Sequence, residues 1–432
     1  MKIINWQNLS FHEQEQALAR PAAQDDAAVR LKVAEIVRTV KARGDEALAE
    51  FSARFDGCVP ASWRVPAPEL AAAAAGIEAG LRSAIERAVA NLGRFHESQR
   101  PEVRRLETMP GVTCELHWRP ISAVGLYVPG GTAPLFSSLL MMAIPARIAG
   151  CPRLILCTPP QRDGKINPAV LAAASLCGLE EVYIVGGAQA VAAMAYGTAS
   201  IPKVDKIFGP GNAYVTAAKQ IVAQDPGGAA MDLPAGPSEV LVIAEPGARP
   251  EWVAADLLAQ AEHDVASQAL LVTTDAAFAE SVKTAVSEQL ARLSRREIAE
   301  KSLAAGRIIL VPEMETALAV SNRYAPEHLI IHHADAAKYV PAITHAGSVF
   351  LGAWTPESAG DYASGTNHIL PTSGYARVYG GLNVLSFMKS MTVQSLTHEG
   401  LGRLGPAIVT MAEAEGLDAH AAAVKIRTGG AI

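Results

Sequence analysis

Apolar residues recur at helical spacing near the start of the chain. Residues 29–55 carry them three or four positions apart, which predicts helix with an interruption near Gly44. Residues 67–98 continue the helical pattern, and the stretch after Pro101 changes to short runs typical of strands. Residues 1–22 are polar and predict a separate N-terminal arm.

From about residue 122 onward, short apolar runs alternate with Gly-rich loops and helical segments. The run 124–128, for example, is followed by Pro129, Gly130 and Gly131. This alternation predicts α/β structure with parallel sheets built from βαβ units, and two sheets fit the length better than one. The tail after about residue 379 lacks the alternation, and we expect it to be helical. Further strands are expected at 154–156, 182–185, 204–208, 240–243, 270–273, 308–311 and 348–351.

Composition narrows the class of protein. The chain has 432 residues, of which 50% are hydrophobic and 19% charged, which is enough apolar material for a folded core. Its 37 Lys and Arg stand against 43 Asp and Glu, so a net charge of −6 argues against nucleic-acid or membrane-surface partners. The most apolar stretch, 135–148, is short and interrupted by Pro145, so it is not expected to span a bilayer.

The five cysteines indicate a reducing compartment. Their number is odd and their spacing irregular, which is typical of free thiols rather than of a disulfide framework. The first residues have no apolar segment of the secretory type. We therefore expect a cytoplasmic protein.

Two of the Gly-rich loops carry polar residues at their tips. These loops, GGAQA and GPGNAY, contain Gln189 and Asn212, and neither is the GxGxxG fingerprint of dinucleotide sites. Each alone is typical of an ordinary turn between strand and helix. Several in one region favour a nucleotide site modestly, because backbone amides at a helix start can hold phosphate.

Three further patterns could carry chemistry. Gln260 and His263 lie three apart in a helical stretch, so both could bind one ion, although such a pair on a helix surface usually has no ligand. Glu327 and His328 precede an apolar run and could supply two bases, with a polar turn as the equal alternative. Residues 360–368 form an unusually polar stretch, which favours a binding loop.

Together these segments closely resemble the histidinol dehydrogenase family, over nearly the whole chain and in order. The matching segments are KARGDEAL (41–48), VGLYVPGG (124–131), VGGAQA (185–190), VDKIFGPGNAYV (204–215), DLPAGPSEVLVIAE (232–245), LLAQAEHD (257–264), YAPEHLII (324–331), AGSVFLGAWTPESAGDYASGTNHILPT (346–372) and EGLDAH (415–420).

The resemblance implies a zinc-dependent oxidation of L-histidinol to L-histidine through L-histidinal with two NAD, the last step of histidine biosynthesis. It implies a homodimer in which the partner's tail completes the active site. His328 would take the alcohol proton and Glu327 would activate water. The implied zinc ligands, one ion per subunit, are Gln260, His263, Asp361 and His420. The implied substrate contacts are Ser238, Glu415, His328 and the same four ligands, and the implied NAD contacts are Tyr127, Gln189 and Asn212.

The family also implies two incomplete Rossmann-like domains with small helical extensions at both ends. The larger domain would combine 23–129 with 242–378 and carry the substrate and zinc site. The smaller, NAD-contacting domain would be 130–241. The arm would be 1–22, and 379–432 would be a dimerisation tail.

Other functions remain open at this level. A related dehydrogenase could act on another small primary alcohol, a zinc hydrolase would need no NAD, and a ligand sensor would lack a catalytic base. A cysteine could carry the second oxidation, but Cys151 and Cys157 have no neighbouring base in the sequence, so a water mechanism is favoured.

Overall fold

The computed structural model describes residues 1–21, 27–130, 135–234 and 236–429. The strands are β1 (Lys2–Asn5), β2 (Arg104–Met109), β3 (Val112–Pro120), β4 (Ala123–Tyr127), β5 (Arg153–Thr158), β6 (Glu181–Ile184), β7 (Lys206–Phe208), β8 (Ala230–Met231), β9 (Glu239–Ala244), β10 (Gln268–Thr273), β11 (Arg307–Leu310), β12 (His328–His332), β13 (Ser348–Leu351) and β14 (Met388–Leu396). The α-helices are α1 (Phe11–Leu18), α2 (Ala27–Arg43), α3 (Asp45–Phe55), α4 (Ala67–Gly76), α5 (Ala79–Glu97), α6 (Phe136–Ala149), α7 (Pro168–Leu176), α8 (Gly187–Tyr196), α9 (Ala213–Gln224), α10 (Pro250–Ala261), α11 (Ala276–Leu290), α12 (Arg296–Ala305), α13 (Met314–Tyr324), α14 (Glu357–Tyr362), α15 (His398–Ala414) and α16 (Asp418–Lys425).

A six-stranded parallel sheet is formed mainly by the second half of the chain. Its strand order is β1-β11-β10-β9-β12-β13. Strand β1, from the N-terminal segment, lies at the edge beside β11. The other strands begin at β9, continue outward through β10 and β11, and then return to the other side of β9 with β12 and β13. All residues of β9 and β10 are buried, as expected for parallel strands covered by helices on both faces.

A five-stranded parallel sheet repeats this plan with the order β6-β5-β4-β7-β8. The chain enters at β4, continues through β5 and β6, and returns to the other side of β4 with β7 and β8. The Ala-rich helices α6 to α9 are largely buried against it. The two sheets confirm the predicted fold class of Rossmann-like α/β units with parallel sheets.

The C-terminal tail contains a strand that the sequence pattern did not predict. Strand β14 pairs antiparallel with β3, which also pairs with β2. Eight of its nine residues are exposed, so its sequence lacks the buried apolar positions that reveal a strand. Helices α15 and α16 follow, so the helical tail is confirmed only beyond this strand.

Strand pairing divides the chain differently from the predicted domains. Strand β1 lies in the predicted arm 1–22 but pairs with β11 of the six-stranded sheet. Strand β4 lies in the predicted segment 23–129 but pairs with β5 and β7 of the five-stranded sheet. Backbone hydrogen bonding, rather than proximity in sequence, decides which sheet a segment joins. These pairings concern sheet membership and do not define domain limits, so the predicted limits stay a prediction. The limit between 22 and 23 falls outside the described residues.

Across the described ranges, the structure contains no helix with both the length and the apolar character needed to cross a membrane.

Candidate active site

A cavity of about 150 Å³ lies where the two parallel sheets face each other. One wall comes from the amino ends of β9 and β12 and from the ends of α10 and α14. The opposite wall comes from loops that follow β4, β7 and β8 at the carboxyl edge of the five-stranded sheet. We call it the site cavity, and it is lined by Leu135, Ser137, Ser138, Gly209, Pro210, Asp232, Leu233, Gly236, Ser238, Gln260, His263, Glu327, His328, Asp361, Tyr362, His368, Ile369, Leu370 and Thr372.

Glu327 and His328 both reach the site cavity, although neighbours in an extended strand point in opposite directions. The reason is local: Glu327 lies in a bend and His328 is the first residue of β12. Both are buried, and the backbone of Glu239 holds them. Its N–H donates to Glu327 Oε2 at 2.8 Å, and its carbonyl accepts from His328 Nδ1 at 3.3 Å.

The bond to a carbonyl determines which nitrogen of His328 carries a proton. Since a carbonyl oxygen only accepts, Nδ1 must be the donor, and Nε2 is the atom that can exchange a proton. Nε2 is buried, lies 3.5 Å from Asp361 Oδ1 and has no hydrogen-bond partner within the described ranges. Nε2 is therefore the nitrogen at which His328 gains or loses its second proton, and it faces neighbouring acidic groups.

Three carboxylates change the ionisation of this pair. Burial alone lowers the pKa of His328, but Glu357, Glu327 and Asp361 stabilise its imidazolium and raise the pKa to about 10. Burial raises the pKa of Glu327 to about 8 despite the nearby histidine and the Glu239 amide. In the bare protein the pair therefore retains protons that isolated side chains would release near neutral pH.

A potential cation site adjoins this pair. His263, Glu357 and Asp361 each offer a ligand atom, and these atoms lie within 4.8 Å of one another. Gln260 is fully buried on α10. With its amide in the orientation that satisfies both its oxygen and its nitrogen, the nitrogen donates to the Glu239 carbonyl at 3.2 Å and to Glu357 Oε1 at 3.0 Å. Those bonds occupy the nitrogen, so the amide oxygen is the atom of Gln260 available to a cation. Three of the predicted ligands, Gln260, His263 and Asp361, thus lie together.

Two further residues belong to the site: Glu357, which sequence reasoning did not select, and His368, which ends the predicted binding loop 360–368. Glu357 is buried with Oε2 unpaired among the described residues, and it precedes Asp361 by one helical turn on α14. That i, i+4 spacing was the signal that could have identified it. His368 donates from Nδ1 to the Asp361 carbonyl at 2.6 Å and contacts Ser138 Oγ at 3.0 Å.

The three residues predicted to contact NAD lie at the carboxyl edge of the five-stranded sheet. The Tyr127 hydroxyl, at the end of β4, accepts from the Gly187 amide at 3.0 Å. Burial raises the pKa of Tyr127 to about 12, so it remains a neutral phenol. Gln189 is buried in the first turn of α8, and Asn212 caps α9 by accepting from the amides of Tyr214 and Val215.

A second cavity, of about 770 Å³, opens beside these residues. It lies past the ends of β4 and β5. In open parallel sheets, ligands bind in crevices outside the carboxyl ends of the strands. Its lining is Pro129, Gly130, Thr158, Pro159, Pro160, Gln161, Arg162, Asp163, Asn167 and Val170.

Ser238 lines the site cavity, whereas Glu415 and His420 do not. Glu415 is the C-cap of α15, and His420 lies in α16. Glu415 and His420 are both exposed in the single chain. The single chain therefore does not place them with the other predicted ligands.

Cysteine chemistry finds no support at this site. None of the five cysteines lines the site cavity as described. Burial raises the pKa of Cys151 to about 11 and raises that of Cys157 still further, so neither provides a thiolate at neutral pH.

Comparison with known proteins identifies the family. The model of the histidinol dehydrogenase family matches residues 19–428. The histidinol dehydrogenase of Vibrio parahaemolyticus serotype O3:K6 (strain RIMD 2210633) is 53% identical over 427 residues, covering 99% of this chain and 98% of the relative. That of Xylella fastidiosa (strain 9a5c) is 52% identical over 429 residues, covering 99% of each. The crystal structure of histidinol dehydrogenase from Elizabethkingia anophelis superposes with a TM-score of 0.95 at 47% identity, over 99% of this chain and 98% of that one. The chain belongs to the histidinol dehydrogenase family.

Proposed function

We propose that this protein oxidises L-histidinol to L-histidine through L-histidinal, using zinc and two molecules of NAD. One histidinol, two NAD and one water give one histidine and two NADH. Family membership supports the substrate. The observation that carries the chemistry is the convergence of Glu327 and His328 with a cation-competent cluster in one cavity between two Rossmann-like sheets.

The residues around the site cavity fit a zinc ion. An amide oxygen, an imidazole and a carboxylate, from Gln260, His263 and Asp361, are donors that zinc accepts. The unpaired, buried atoms His328 Nε2 and Glu357 Oε2 lie beside them, as expected where a cation and its substrate are normally present. When bound, zinc would hold the imidazole and amine of histidinol and orient the substrate. The fourth ligand in this proposal is the partner's His420.

Glu327 and His328 divide the proton transfers. His328 Nε2 takes the proton of the substrate alcohol in the first oxidation, since Nδ1 is committed to the Glu239 carbonyl. A cation held by Asp361 would oppose the carboxylates that raise the His328 pKa and would favour the neutral, basic imidazole. Glu327 removes a proton from the water that attacks the aldehyde. The resulting hydrate is the substrate of the second oxidation.

NAD would be held at the five-stranded sheet and accept the hydride in each oxidation. The second cavity, past β4 and β5, supports this placement, as do the neighbouring Tyr127 and Gln189. The Gly209–Pro210 loop lines the site cavity, and Asn212 begins the helix that follows it. Cofactor and substrate would therefore meet in the space between the sheets.

We further propose a homodimer that shares its active sites. Glu415 and His420 are exposed and do not line the site cavity of their own chain. The tail also exposes large apolar side chains, a pattern typical of surfaces that another chain covers. They include Met391, Val393, Leu396, Met411, Leu417 and Ile426.

The NADH yield tests the proposed function. The protein is incubated with a limiting amount of L-histidinol and excess NAD, with and without a chelator, and then with added zinc. We expect two NADH per histidinol, lost on chelation and restored by zinc. One NADH per histidinol would indicate an ordinary alcohol dehydrogenase that releases aldehyde, and turnover unaffected by chelation would reject the metal.

A further inference from the structure

The backbone N–H and C=O of Glu239 connect three of the residues proposed to act on the substrate. Its N–H donates to Glu327 Oε2, and its carbonyl accepts from both His328 Nδ1 and Gln260. Glu239 is the first residue of β9, at the amino edge of the six-stranded sheet. A displacement of the Glu239 backbone would therefore move or release three site residues together.

The side chain of Glu239 is anchored by the N-terminal segment. Arg20 Nε donates to Glu239 Oε1 at 2.6 Å, and Arg20 Nη2 donates to Oε2 at 2.7 Å. The carboxylate side chain is only 3% exposed. Glu239 Oε1 also accepts a hydrogen bond from the Ser373 amide at 2.5 Å. Such a two-bond pair determines orientation as well as distance, because the guanidinium and the carboxylate are both planar.

Arg20 is itself held in place. Its Nη2 also donates to the Tyr324 carbonyl at 2.8 Å, and its guanidinium lies 4.0 Å from the centre of the Tyr324 ring. Tyr324 ends α13, four residues before His328. The arginine thus connects the N-terminal segment with β9 and with the chain that leads into β12.

We propose that Arg20 is a positioning residue for the reaction, acting through Glu239 on Glu327, His328 and Gln260. This proposal rests on the proposed function. Arg20 does not line the site cavity, so it acts by orientation rather than by touching substrate. Without the guanidinium, the buried Glu239 carboxylate would lack its cationic partner and would move toward water, displacing the backbone of Glu239.

The test compares Arg20→Gln and Arg20→Lys with a control on the same segment, Glu15→Gln. Glu15 pairs with Arg323, so the control removes another contact of this segment without affecting Glu239. We expect Arg20→Gln to lower kcat about 10- to 100-fold, as small misplacements of catalytic groups do, with little change in the KM for NAD. Arg20→Lys keeps the positive charge but loses the two-bond geometry, so its kcat should lie between those of the wild type and Arg20→Gln. A kcat for Arg20→Gln equal to that of the control would overturn the proposal.

A double variant separates positioning from folding. Arg20→Gln leaves a buried charge unpaired and lowers stability for that reason alone. Arg20→Met combined with Glu239→Gln removes both charges, so we expect thermal stability to recover while kcat remains low. If kcat recovers together with the melting temperature, Arg20 is only a structural residue.

Hydrogen exchange provides a readout that needs no substrate. The Glu239 amide should exchange faster in Arg20→Gln than in Glu15→Gln, because its bond to Glu327 is weakened. If the wild-type protein fails to oxidise histidinol, the proposed function is wrong. The exchange rates still show whether Arg20 holds the Glu239 backbone in place. Equal exchange in both variants would reject the positioning role.

Discussion

Two adjacent residues, Glu327 and His328, illustrate how a local bend determines chemistry. Because His328 begins β12 and Glu327 lies just before it, both side chains reach one cavity. Their placement requires only the backbone of Glu239 as a shared partner. Two bases held at fixed positions can serve two successive proton removals, one from the substrate alcohol and one from water.

Replacing Glu327 should separate the two oxidations. Glu327→Gln preserves size but cannot take a proton from water, so we expect oxidation of L-histidinal to slow about 10²- to 10⁴-fold. Oxidation of L-histidinol to the aldehyde should slow less, since His328 handles that proton. Single-turnover assays started with each compound measure the two rates. Equal losses would show that Glu327 does not act specifically on water.

Glu357 should support the metal without contacting substrate. Its Oε1 accepts from the Gln260 amide nitrogen, and this bond orients the Gln260 oxygen. Partners that orient a metal ligand affect affinity about 10- to 100-fold, so we expect Glu357→Ala to weaken zinc binding by that factor. Competition with a coloured chelator measures the change. The control is Glu280→Ala, because Glu280 is exposed on α11. Equal zinc affinities in the two variants would exclude a role of Glu357 in metal binding.

At the scale of elements, buried and exposed strands differ in how visible they are in the sequence. The apolar runs predicted β9 to β11 because parallel strands are buried on both faces. Strand β14 was missed because its residues are exposed and its pairing with β3 is not a local property. Among the site residues, Gln260, His263 and Asp361 followed from the family resemblance. The i, i+4 spacing to Asp361 could have indicated Glu357, but its bond to Gln260 depends on the packing of α14 against α10.

Asn212, the N-cap of α9, has a structural role and a proposed role in NAD binding that substitutions can separate. Asn212 caps the helix, and in the proposed function it also contacts NAD. Asn212→Asp keeps a capping oxygen but adds a negative charge near the cofactor phosphates, so we expect unchanged stability and a higher KM for NAD. Asn212→Ala should also lose about 1 kcal/mol of stability. Denaturant melts and initial rates measure both properties. An unchanged KM for NAD in both variants would restrict Asn212 to capping.

At the scale of the whole molecule, the site cavity lies between opposite edges of two sheets. The six-stranded sheet presents its amino edge and the five-stranded sheet its carboxyl edge. Alternating strands and helices in the sequence predict such sheets but not which edges meet, since that depends on the packing of distant segments. The same limit applies to the tail, whose Glu415 and His420 are exposed in the single chain and, in the proposed dimer, reach the site of the second chain.

Mixed dimers would test the shared site directly. His263→Ala and His420→Ala should each lose zinc and activity as homodimers. In a mixed dimer, one site combines both lesions, whereas the other combines an intact cavity with an intact tail. Purified mixed dimers, isolated with two different affinity tags after co-expression, should therefore recover about half of the wild-type activity and bind one zinc. If His420 instead served its own chain, each site of the mixed dimer would carry one lesion, and neither zinc nor activity would return.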